Sequence, residues 1–216
     1  MRISHKHKFI FIANQKTASS AVRLALDNYS DISGVSDVKS CYYYHTSARS
    51  LKNHFKSKGW NWDEYFKFTF VRNPWDLAVS HYFYRNKVLK KCLDTGCDEW
   101  VIKFFEESYK SIGFNEWIKK IEGKLTYIND KVSIQNDMLV DESENCIVDF
   151  VGRYENLQSD FEFIRSKLGY KCDELLLKNE SHHSHYSDYY TDESADIIRN
   201  IYAEDINLFG YEFNEN

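Results

Sequence analysis

A single proline, Pro74, and eight glycines in 216 residues leave no Pro/Gly/Ser-rich linker, low-complexity tract or repeat. Collagen-like and modular architectures are thereby excluded, and one domain spanning residues 1–216 is expected. Long apolar runs are also missing. The longest, Phe9-Ile10-Phe11-Ile12-Ala13, falls far short of the roughly 20 residues that cross a bilayer and is too short for a signal-peptide core, so a cytoplasmic protein is expected. Excess positive charge is absent: 28 Lys+Arg stand against 33 Asp+Glu, a formal net charge of −5. No global field pulls this chain onto nucleic acid or anionic lipid, and any polyanion site must be local. The five cysteines, Cys41, Cys92, Cys97, Cys146 and Cys172, are odd in number and lack C-x-x-C spacing. A zinc ribbon or disulfide framework is not indicated, and five free thiols are expected.

Aromatic residues are abundant, at 17% of the chain, and can fill a sizeable core. Lys8 to Ala13 reads as a buried strand followed by a polar turn and a helix over Ser19 to Leu26. Thr46 or Ser47 can cap a helix running to about Lys58, and Phe66 to Val71 reads as a second buried strand. Pro74 suits the first turn of a helix reaching about Lys90. Helical periodicity runs from Glu99 to Ile121, with Trp100, Phe104, Phe105, Phe114, Trp117, Ile118 and Ile121 as core positions. Cys146 to Val151 reads as a third strand and Asn156 to Leu168 as a helix, and Thr191-Asp-Glu-Ser opens a final helix that Gly210 stops. This alternation predicts an α/β fold with a central, mainly parallel β-sheet flanked by helices, binding ligands beyond the carboxyl ends of its strands.

Two segments carry chemistry. Asn14-Gln-Lys-Thr-Ala-Ser-Ser-Ala21 lies between the first strand and helix, where unpaired amides and Lys16 suit an anion and Thr17, Ser19 and Ser20 add hydroxyls. It has no glycine and lacks the spacing of a nucleoside-triphosphate P-loop; an ordinary capped turn is its structural alternative. In Val71-Arg-Asn-Pro-Trp-Asp-Leu-Ala-Val-Ser80, Arg72 ends a strand and Ser80 follows on the next helix, so a guanidinium fork and a hydroxyl can share one phosphate. Pairing of Arg72 with Asp76 is the alternative there.

Together these segments resemble the sulfotransferases that use 3′-phosphoadenosine 5′-phosphosulfate (PAPS). The family's 5′-phosphosulfate loop is matched by Phe11 to Ser20 through Lys16-Thr17-Ala18-Ser19-Ser20, and its 3′-phosphate motif by Arg72, Pro74 and Ser80. Tyr65 to Asp76, Gly152-Arg-Tyr-Glu-Asn-Leu157 and Phe209-Gly-Tyr-Glu-Phe213 resemble the carbohydrate (Golgi-type) branch, in a soluble, bacterial-like form. The resemblance extends from about Lys8 to Phe213 and is weakest between Leu89 and Asn145. It departs from the pattern at Ala18 and Ser19, where many members have glycines. The resemblance implies a P-loop-like sulfotransferase fold and transfer of a sulfuryl group from PAPS to a saccharide or glycoconjugate hydroxyl, releasing 3′,5′-adenosine bisphosphate (PAP) without a metal. Lys16 would neutralise the leaving oxygen, amides of Thr17, Ala18, Ser19, Ser20 and Ala21 would hold the 5′-phosphate, and Arg72 and Ser80 the 3′-phosphate.

The resemblance also places a histidine-bearing segment between the motifs, which makes His45 the candidate base, with Asp63 and Glu64 as fallback carboxylates. Tyr186, with Tyr189 and Tyr190, is a candidate to stack on adenine or line the acceptor groove; core packing is the alternative. His182-His183-Ser184-His185 with Asp188 could ligate a metal, but a loop folding over the donor is the preferred reading. Two rival functions remain open at this point: a nucleotide-dependent phosphotransferase, which needs Mg²⁺ and a metal carboxylate, and a non-catalytic module for anionic glycans.

Overall fold

The computed structural model describes residues 1–97, 112–121, 127–128, 131–132, 134–170, 175 and 184–214. In chain order its elements are strands β1 (Arg2–Ser4) and β2 (Phe9–Phe11), helix α1 (Ser19–Ala25), β3 (Ile32–Ser33), α2 (Ala48–Lys58), β4 (Phe66–Val71), α3 (Pro74–Thr95), α4 (Phe114–Ile121), β5 (Phe150–Arg153), α5 (Leu157–Leu168), α6 (Asp192–Ile201) and α7 (Ala203–Phe209). A two-residue ladder pairs Tyr127–Ile128 with Lys131–Val132. The chain divides into two compact units, Met1–Arg72 with Gln135–Asn179, and Asn73–Ile134 with Glu180–Asn216.

The first unit is built on a five-stranded sheet of order β3-β1-β2-β4-β5. β2 and β5 run parallel to β4 on its two sides, whereas β1 is antiparallel to both β2 and β3. The sheet is therefore mixed, a correction to the mainly parallel expectation. The cause lies at the start of the chain, where Lys8 adopts a left-handed φ of 55° and folds Arg2–Ser4 back onto Phe9–Phe11 as a hairpin. Alternation along β4 places Phe68 and Phe70 with Phe9 and Phe11 of β2 in one core, covered by Val22 and Leu26 and by Leu157, Phe161 and Ile164 of α5. Lys67, buried at 6% exposure, is held by Asp149, whose Oδ2 lies 3.0 Å from its Nζ.

The third strand begins later than predicted, at Phe150 rather than Cys146. Residues 141–145 form a turn in which Asp141 Oδ1 accepts from the amides of Ser143 and Asn145, leaving Cys146 in an isolated bridge to Val140.

In the second unit, Pro74 takes the first turn of α3 and Asn73 caps it by accepting from the Trp75 amide at 3.1 Å. Trp75 is anchored when its Nε1 donates to Ala195 O and its own carbonyl accepts from Tyr190 Oη. Thr191 caps α6 reciprocally with Ser194. The predicted last helix breaks at Tyr202 into α6 and α7, and Gly210 ends α7 at a left-handed φ of 65°. Of the helix predicted over Glu99 to Ile121, the described part is α4; Glu99, Trp100, Phe104 and Phe105 lie outside the described residues. Cys92 and Cys97 are joined in a disulfide, with Cα atoms 5.0 Å apart, which corrects the expectation of five free thiols. Helix α3 stops at Thr95, and Gly96 at φ 80° turns the chain so that Cys97 meets Cys92. Cys41 and Cys146 are free and exposed, and Cys172 lies outside the described residues.

Candidate active site

The first unit collects its candidate residues where β2 and β4 end. Ile12 still donates from its amide to Phe68 O at 2.9 Å, and the buried Asn14 continues the attachment by donating from Nδ2 to Phe70 O at 3.2 Å. Thr17 Oγ1 donates to Asn14 O, which closes the loop on itself. Lys16 and Ala18 both take left-handed backbone angles, φ 59° and 56°. Such angles cost an L-residue about 1 kcal/mol each and persist where the surroundings impose them. Alternating hand along a short stretch turns successive amides toward one concavity, the geometry of an anion nest. Among the described residues, the amides of Thr17, Ala18, Ser19 and Ser20 meet no acceptor, and Ala18 caps α1 with no side-chain bond. The amide of Ala21 donates within the turn to Ala18 O at 2.9 Å. Ala18 thus takes the glycine-like conformation despite its methyl group.

Arg72 follows β4 directly and is 6% exposed. Its Nη1 donates to Lys16 O at 3.0 Å, and its guanidinium carbon sits 3.9 Å from the ring centroid of Tyr154. The two motifs, 56 residues apart in sequence, are therefore hydrogen-bonded to each other. The backbone of Arg72 is held by a side chain that sequence reasoning did not single out. Gln135 Oε1 accepts from the Arg72 amide, and Gln135 Nε2 donates to Arg72 O, both at 2.8 Å. Tyr154 had entered only as part of a resembling string. Neither residue stands in a local pattern that marks it, since each reaches Arg72 through the tertiary fold.

His45 precedes α2, which Ser47 caps by accepting from the Ser50 amide. Its Nδ1 lies 2.7 Å from Ala13 O, at the root of the Lys16 loop. A carbonyl only accepts, so Nδ1 carries the proton and the lone pair is on Nε2, for which no protein partner exists among the described residues. Burial pushes the imidazole pKa down to about 4; the Ala13 bond opposes this, and the nearby Arg23 guanidinium reinforces it. Arg23 of α1 covers the Tyr44 ring at 4.6 Å and donates from Nη2 to Ser20 Oγ at 3.1 Å. Tyr43, half-buried, lies edge-on to His45 with ring centroids 5.7 Å apart.

Of the fallback carboxylates, Glu64 is ion-paired with Lys8 at 2.9 Å and Asp63 is exposed beside it. In the second unit, Ser80 is buried on α3 at 3% exposure. Tyr186, also buried, lies with its hydroxyl 3.4 Å from Asn73 Nδ2 and its ring 4.3 Å from that of His185. Tyr189 packs edge-on against Phe83 and Phe114. His182 and His183 lie outside the described residues, and among the described residues no three His, Cys, Asp or Glu side chains converge as a metal site. No described helix is long and apolar enough to cross a membrane.

The profile of a family described as "Sulfotransferase family" matches residues 1–212. A protein of Archaeoglobus fulgidus described as uncharacterized is 29% identical over 107 residues, covering 50% of this chain and 70% of that protein. No solved structure matches.

Proposed function

This chain belongs to the sulfotransferase family, and we propose that it takes its sulfuryl group from PAPS and passes it to a saccharide hydroxyl, as a relative of the carbohydrate branch. The observation that supports this reading is the bond from Arg72 to the Lys16 carbonyl, which brings the two motifs together beside the amides of the Lys16 loop. The bound donor supplies an activated sulfuryl group on a phosphate leaving group.

The amides of Thr17, Ala18, Ser19 and Ser20 receive the 5′-phosphate, and the buried guanidinium of Arg72 receives the 3′-phosphate as a charge-assisted fork. Ser80 and Tyr186 belong to the second unit, and their assignments to the 3′-phosphate and the adenine rest on the sequence alone. His45 Nε2 takes the acceptor hydroxyl proton as its oxygen forms a bond to sulfur. The bond from sulfur to the bridging oxygen breaks in line, and the electron pair left on that oxygen is stabilised by the Lys16 ammonium.

Transfer of labelled sulfate from PAPS to a panel of neutral and acidic saccharides tests this reading. Lys16→Ala is expected to lower kcat by about 10²–10³. His45→Ala is expected to retain PAP binding while losing about 10²–10⁴ in transfer. Full transfer by the His45 variant would remove the imidazole from the mechanism.

A further inference from the structure

We infer that Gln135 is a positioning residue that sets Arg72 for the donor's 3′-phosphate, an inference that rests on the role proposed for Arg72 above. Phe68 and Phe70 of β4 present their carbonyls to the side occupied by β2, where the Ile12 amide and then the Asn14 side chain serve them. Peptide groups alternate sides along a strand, so Arg72 is the next residue to face that way, beyond the reach of β2, which ends at Phe11. Here the Gln135 side chain completes the edge. One primary amide offers an acceptor and a donor side by side, which matches the N–H and C=O that a single residue presents. Both bonds are 2.8 Å long, and Gln135 is 5% exposed.

The consequence for Arg72 is orientational. A residue just past a strand end keeps its backbone dihedrals free unless its peptide groups are held, and an arginine whose Cα wanders delivers its fork poorly. Gln135 fixes the backbone, the Tyr154 ring supports the guanidinium plane, and the Lys16 carbonyl takes one Nη1 proton. With backbone and head group both held, the guanidinium is oriented before the phosphate arrives. Other side chains do this less well. Glutamate accepts from the amide but cannot donate to the carbonyl, and methionine fills the volume and makes neither bond.

The test compares two ligands that differ by the group Arg72 would read: PAP, and adenosine 5′-monophosphate, which lacks the 3′-phosphate. Calorimetric titration of wild type, Gln135→Met, Gln135→Glu and Arg72→Lys, each with a thermal melt, gives the affinities. The expected result for Gln135→Met is a loss of about 10–100-fold for PAP with less than about threefold for the monophosphate, since misaligned charge-assisted bonds are worth about 1.5–3 kcal/mol. Gln135→Glu, which keeps one of the two bonds, falls between; it carries the test if the methionine variant does not fold. In turnover, the donor KM rises while kcat at saturation stays within about threefold. Equal losses for both ligands would show a merely structural role and overturn the inference. So would a preference for PAP that the Gln135 variants leave intact. A wild-type protein that does not distinguish the two ligands would overturn the assignment of Arg72 itself.

Discussion

Burial makes His45 a neutral imidazole throughout the ordinary pH range, with its lone pair fixed on Nε2 by the Ala13 carbonyl. Two consequences share this origin. With His45 as the proposed base, the acid limb of kcat/KM is expected near pH 4 rather than 6.5, because the imidazole stays unprotonated until its lowered pKa is reached. Stability moves in the same window. Between the ordinary imidazole value of 6.5 and about 4 the unfolded chain binds a proton at this histidine that the native protein refuses. Stability is therefore complete above pH 6.5 and falls as the pH drops toward 4, by up to ~3 kcal/mol at ~1.4 kcal/mol per unit. Urea unfolding of wild type and His45→Gln at pH 7 and pH 4.5 checks this. The wild type should lose more stability than the variant on acidification, and parallel losses would show that His45 does not titrate as described. The histidine itself was legible from its position before a helix, but its tautomer and its depressed basicity were not. Both depend on Ala13, 32 residues away.

At the scale of elements, local signals resolved what they could reach. Alternating phenylalanines gave Phe66–Val71 its boundaries, Thr46 or Ser47 marked the start of α2, where Ser47 is the cap, and Pro74 that of α3. β1 and β3, of three and two residues, carry too little pattern to announce themselves and exist because their partners lie nearby in space. The disulfide depended on where α3 ends, which no spacing of cysteines encodes. One packing constraint sits directly under the site. Gly152 of β5 pairs with Phe70 of β4, and a Cβ there would approach the Phe70 ring to 2.6 Å. That ring is fully buried against Phe11 and cannot swing clear. Gly152→Ala is therefore expected to destabilise the protein by ~1–3 kcal/mol through overpacking, read as a lower urea midpoint with an unchanged m-value. An unaltered midpoint would show that the strands separate without cost.

For the molecule as a whole, the net charge of −5 means that a polyanionic donor is drawn in only by what is concentrated at one place. In the proposed site Lys16 and Arg72 supply that concentration, and each stands out in the sequence because it lies in a short motif at a strand end. Their supports, Asn14 Nδ2 on Phe70 O and Gln135 on Arg72, were hidden because they join segments 56 and 63 residues apart. Calorimetric titration of wild type, Lys16→Ala and Arg72→Ala with PAP, and with ATP in the presence and absence of Mg²⁺, tests the account most directly. Metal-independent PAP binding that each variant weakens by about 10–100-fold is the expected result. Mg²⁺-dependent binding of ATP with no binding of PAP would contradict it.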